Sequence, residues 1–257
     1  MLLSLLLLVT FVLVFFNYQT MRYPFAYQLV SAVLPIFSLF VVANTSNKYF
    51  NYLVFFAAGL ILYYLKSRAA FYGFFIVFCL FFMKNVGVKF LVLLLVMMLI
   101  AFFFNINYEV VSLNQRMLGI DKVTQDESFI ERVEQFKFGL IAIKDNWFWG
   151  QYGGQVIVHE GAHYPVNIGS YMHNALSFWR QYGLVFFVVF SAYYSYLLFR
   201  LFILWVKSVD TEVDFSFYLG ALFFIYLLFF YSYSYYYIWF VFMLMHLVVR
   251  KKLSEDL

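Results

Sequence analysis

Residues 182–206 read YGLVFFVVFSAYYSYLLFRLFILWV, with Arg200 the single charge among 25 positions. A helix crossing the hydrocarbon core of a bilayer needs about 20 predominantly apolar residues, so this run reads as a membrane-spanning helix. Seven further stretches share its character: Leu2–Phe16, Phe25–Ala43, Tyr49–Leu65, Ala69–Met83, Phe90–Phe104, Phe215–Tyr231 and Tyr235–Val249. The 257 residues are 65% hydrophobic and 25% aromatic, with a mean hydropathy of +0.84. Only 12% are charged, against roughly 25% in an average soluble domain. A soluble globule has too few polar groups here to cover its surface, which excludes a cytoplasmic α/β enzyme, a disordered chain and a secreted disulfide scaffold. Cys79, the one cysteine, has no second cysteine in the chain to pair with. The expected fold class is therefore all-α, a polytopic membrane helix bundle of about eight spans with one large, partly helical outer loop.

The third and fourth spans are short and separated only by Lys66-Ser67-Arg68. Between the last two lies a polar-aromatic run, Tyr231–Tyr237, most simply an aromatic belt at the membrane surface and alternatively a surface for stacking sugar rings. Leu2–Phe16 has no basic residue before it and no small-residue cleavage site after it, so it reads as a retained span. Cytoplasmic loops of membrane proteins are enriched in lysine and arginine. Arg250, Lys251 and Lys252 place the C-terminus inside, and counting back puts Arg200, Lys207, Lys84, Lys89 and Lys48 on the same side. The opposite short loops hold Arg22, Lys66 and Arg68. Both termini are then cytoplasmic. The chain divides into 1–104 with five spans, 105–181 as an outer, periplasmic loop, and 182–257 with three spans and a cytoplasmic tail.

The outer loop is patterned. Ser128 and Glu131 form a capping-box signature. After it Phe129, Val133, Phe136, Leu140, Ile143 and Trp147 recur at spacings of four and three, predicting an amphipathic helix near 128–146 that lies in the membrane interface. Gly150, Gly153 and Gly154 then allow a tight turn, and a second short helix starts near His173-Asn174 and runs through Arg180 into the next span.

Candidate chemistry concentrates in this loop and at Lys66–Arg68. Arg132 has Ser128, Phe129, Gln135 and Phe136 as its neighbours three and four residues away, none of them acidic. It reads either as a surface arginine at water or lipid headgroups, or as part of an anion site. Lys66 and Arg68 either snorkel to headgroups or bind an anionic group such as a diphosphate, which an arginine fork grips through two oxygens. His173, Ser177 and Arg180, spaced four and three apart, share one face if helical. They read as a cap followed by an interface arginine, or as a general base beside a cation, a role that suits an imidazole with its pKa near ~6.5. His159 and His163 accompany no cysteine or acidic set with ligand spacing, so no metal and no other cofactor is expected. His246 reads as structural.

Taken in order, these motifs resemble the bacterial O-antigen polymerase and O-antigen ligase superfamily. In that family a loop arginine precedes an amphipathic helix, a Pro-x-x-Gly-x-Gly-like turn, a His-Asn-x-x-Leu element and a glycine opening the next span. Here these are Arg132, Trp147-Phe-Trp-Gly150-Gln-Tyr-Gly153, His173-Asn174-Ala-Leu176 and Gly183, with Ser67-Arg68 similar to a Ser-Arg pair at the outer face. Trp147 stands where proline is usual, and Leu176 comes one residue early. The resemblance covers about Lys66 to Tyr237. It implies a GT-C-like, metal-independent glycosyltransferase of the bacterial inner membrane whose donor is a glycan on undecaprenyl diphosphate. Arg68 and Arg132, helped by Lys66 and Arg180, would hold the diphosphate. His173 would be the general base, with Ser67, Asn174 and Ser177 supporting. The expected function is an O-antigen or capsule polysaccharide polymerase, or a ligase acting on lipid A-core. The implied partners are the lipid-linked glycan, an acceptor glycan or lipid A-core, membrane lipids and a chain-length regulator protein; nucleic acid is not among them. A transporter or flippase is the reading of another class. It would place ionisable residues near the midplane of its spans, whereas here charge gathers in the outer loop.

Overall fold

The computed structural model describes residues 24–65, 67–87, 127–152, 172–207, 210–229 and 236–255. The expected spans Leu2–Phe16 and Phe90–Phe104 lie outside the described residues, as do Lys66, His159, His163 and residues 231–235. The described residues form seven helices: α1 (Pro24–Ala43), α2 (Lys48–Tyr64), α3 (Arg68–Val86), α4 (Glu127–Asp145), α5 (Leu176–Lys207), α6 (Thr211–Phe229) and α7 (Tyr237–Glu255). Of these, α3, α5 and α6 are long and apolar enough to cross a bilayer. The chain is a helical membrane protein. It divides into two compact units, Met1–Gly119 and Ile120–Leu257.

In the first unit α1, α2 and α3 pack on one another. Asn47 caps α2 by accepting from the backbone N–H groups of Tyr49 and Phe50, at 3.0 and 3.2 Å. Such a cap satisfies donors that the first helical turn leaves open. The buried Asn51 amide closes the α1–α2 turn by donating to the carbonyls of Val42 and Thr45. Between α2 and α3 the contact is aromatic: the Phe55 ring lies 5.0–5.2 Å from those of Phe74, Phe78 and Phe81. Separations of this size suit the tilted and edge-on packing that aromatic rings prefer.

In the second unit α6 packs against α5 and α7 and is buried along most of its length. Helix α5 presents Tyr194, Leu197, Leu201 and Trp205, and α7 presents Ile238, Val241, Met245 and Val248. Both rows have the three-and-four spacing of a helical face. The Tyr194 hydroxyl donates to the Gly220 carbonyl at 3.0 Å. At the other end of the hairpin, Lys252 bridges Asp210 and Glu255, and Lys251 bridges Glu212. Those ion pairs tie the α5–α6 connection to the C-terminal turns of α7.

Candidate functional site

The site is built where α4 meets the start of α5. Helix α4 ends in a turn over residues 146–149, and Gly150 follows with φ +74°. Helix α5 is broken at Gly183, with φ 83° and ψ 174°. That conformation is open essentially to glycine alone. The two glycines face each other. A Cβ on Gly183 would collide with the carbonyl of Phe148, and one on Gly150 with the backbone at Gln181 and Gly183. Such close backbone approach is what both residues allow. The hydrogen bonds that the break frees are made good across the contact. Leu184 N–H donates to the carbonyls of Trp147 and Phe148 at 3.2 and 3.1 Å, and Gln151 N–H to the carbonyl of Arg180 at 2.7 Å. The Trp179 indole N–H adds a bond of 2.6 Å to the Trp147 carbonyl. This latch fixes the first segment of α5, residues 176–182, against the end of α4.

His173 sits between two anchors. Met172, 1% exposed, fills the notch at Gly139, where a Cβ would strike its side chain, and packs on Ile143 with Phe138, Leu176 and Trp179 around them. Asn174 caps α5, its side-chain oxygen accepting from Leu176 N–H at 3.0 Å and its carbonyl from Ser177 N–H at 3.1 Å. His173 itself is half-buried and lies in a bend ahead of the helix. The expectation of one helical face shared by His173, Ser177 and Arg180 is corrected here. The helix begins only at Leu176, because the Asn174 cap precedes its first turn. Nor is Arg180 a surface arginine at the interface: it is 2% exposed, beside the equally enclosed Ser177 and Gln181.

Arg132, exposed, stands on α4. With Gln135, Gly139 and Ile143 it falls at spacings of three, four and four, one face of the helix. That face receives Met172 at Gly139, two turns or about 10 Å further along the helix. Phe136 and Leu140 flank that face and Ile141 stands opposite it, all three exposed, followed by the exposed Trp147, Phe148, Trp149 and Tyr152.

Arg68 and Ser67 belong to the first unit. Arg68 opens α3, whose first turn has no acidic residue and to which Ser67 gives no side-chain cap. A cation at a helix N-terminus is at the unfavourable end of the dipole. An anion placed there would be attracted by both the guanidinium and the positive end of the helix dipole. Sequence reasoning missed Gln135 and Gln181, both buried polar residues, and the pairing of Gly150 with Gly183. Only the glycine composition of the turn hinted at the pairing.

A family model described as O-antigen ligase matches residues 53–191. The match takes in over half of the chain, including Ser67, Arg68, α4, the latch, His173 and Arg180. No curated protein matches the chain. The order of these elements and the extent of the match together place the chain in the O-antigen ligase family.

Proposed function

We propose that the protein is a glycosyltransferase that joins undecaprenyl-diphosphate-linked repeat units of a surface polysaccharide at the outer face of the bacterial inner membrane. In this reading it has about eight spans in a GT-C-like arrangement, with both termini cytoplasmic. The observation that supports it best is the anchoring of His173 between Met172 and Asn174, on a segment that also holds the buried Arg180, within the family match. The acceptor hydroxyl attacks the anomeric carbon. A new glycosidic C–O bond forms as the C–O bond to the diphosphate breaks. His173 takes the hydroxyl proton, a role worth about 10²–10⁴-fold. Arg68 and Arg132, with Lys66 and Arg180, hold the leaving diphosphate as its charge develops. Asn174, Ser177 and Ser67 support this set.

The ligase that transfers the finished glycan to lipid A-core is the second reading, favoured by the description of the matching family. The glycan ladder of a deletion strain separates the two. A core bearing a single repeat unit means a lost polymerase, and a core bearing none means a lost ligase. An unchanged ladder overturns both.

A further inference from the structure

Gln181 has no role in the chemistry proposed above. It is 2% exposed, and no donor reaches its side-chain carbonyl oxygen among the described residues. Folded proteins rarely bury an acceptor without a partner, and the exceptions call for a reason. Its backbone is held firmly: the Gly150 backbone packs on the Gln181 carbonyl, and the preceding carbonyl, that of Arg180, accepts from Gln151. Ser177 lies one turn before Gln181, so the two share a face of the segment, with Arg180 on its flank. Helix α4 docks on the far side, against Leu176 and Trp179. The face carrying Ser177 and Gln181 is thus not the one against which α4 packs Ile143 and Phe138. A primary amide offers an acceptor and two donors side by side, which suits the hydroxyl groups of a sugar ring better than a phosphate, which only accepts.

We propose that Gln181 is a specificity-determining residue whose amide hydrogen-bonds a sugar hydroxyl of the glycan substrate. This deepens the glycosyltransferase reading and rests on it. The test uses the full-length protein in nanodiscs with two probes: undecaprenyl diphosphate alone, and the undecaprenyl-diphosphate-linked repeat unit purified from the source strain. Gln181→Met keeps the size of the side chain and removes its hydrogen bonds. Without lipid it should unfold at or above the wild-type temperature, because an unmet acceptor has gone. It should be stabilised by undecaprenyl diphosphate as the wild type is. It should lose the additional stabilisation that the glycan-bearing lipid gives, and its glycan transfer should fall roughly tenfold or more. A structural amide would instead lower the unfolding temperature, and that result overturns the proposal. So does a wild-type preference for the glycan-bearing lipid. If neither lipid stabilises the wild type, the glycosyltransferase reading falls and this inference with it. If both do and the variant behaves like the wild type, the inference falls alone. Gln181→Leu, read in the same way, serves if the methionine variant does not accumulate.

Discussion

At the scale of the residue, His173 owes its position to its neighbours rather than to a helix. Met172 and Asn174 are each fixed by contacts of their own, which a replacement of the imidazole between them leaves in place. His173→Ala should therefore accumulate in the membrane and lose transfer by about 10²-fold or more. His159→Ala and His163→Ala should transfer normally. Wild-type transfer from His173→Ala in a reconstituted assay would sink the general-base role, and equal losses from all three would point to a metal. Arg68→Lys and Arg132→Lys keep a positive charge but lose the planar fork that binds two phosphate oxygens. Each should slow transfer by up to about 10²–10³-fold, the cost of removing one stabilising donor from a transition state. Full activity in both variants would make these arginines headgroup contacts only.

At the scale of the element, the latch predicts a large effect from a small change. Gly183→Ala would force a Cβ into the Phe148 carbonyl and hold alanine in a conformation that glycine alone tolerates. The two costs, strain and overpacking, should together destabilise by at least about 2 kcal/mol. A thermal-shift measurement showing no loss would mean that the α4 turn and the α5 break separate freely. The opposite end of the second unit is held by charge. Lys252, hydrogen-bonded to it, holds the Asp210 carboxyl below its usual 3.8, and Asp210 holds the Lys252 ammonium above its usual 10.5. A depressed carboxyl stabilises the fold above its unfolded pKa, and that contribution is lost as the pH falls through the folded value. A raised ammonium does so below its unfolded pKa, with loss as the pH rises through the folded value. The pair thus acts fully between about pH 5 and 9. Asp210→Asn should lower the unfolding temperature in that window, and the difference from wild type should vanish on acidification below the carboxylate range. A difference that persists in acid would show that the charge of Asp210 is not the source of its contribution.

At the scale of the whole molecule, the reading requires the segment from Asn105 to Gln181 to face the cell exterior or periplasm. Cysteines introduced at Asp121 and Glu160 should react with a membrane-impermeant thiol reagent in intact spheroplasts. Labelling only after lysis would invert the topology and remove the site from its lipid-linked donor. Much of this molecule was legible in the sequence because a membrane acts locally. Each segment of α3, α5 and α6 must be apolar on its own account, whatever it packs against, and the three-and-four spacing that marked α4 is likewise a property of one segment. The family, too, could be read from motifs in their order. What only the tertiary structure decided depends on partners remote in the chain. The break at Gly183 exists because the carbonyls of Trp147 and Phe148 replace the hydrogen bonds it gives up, and Trp147 and Trp179 meet across 32 residues. His173 stands outside the helix because Asn174 caps it, and Arg180 and Gln181 are enclosed on the segment that the latch holds. No periodicity along a single segment encodes such contacts, since each is set by the backbone geometry of two segments at once.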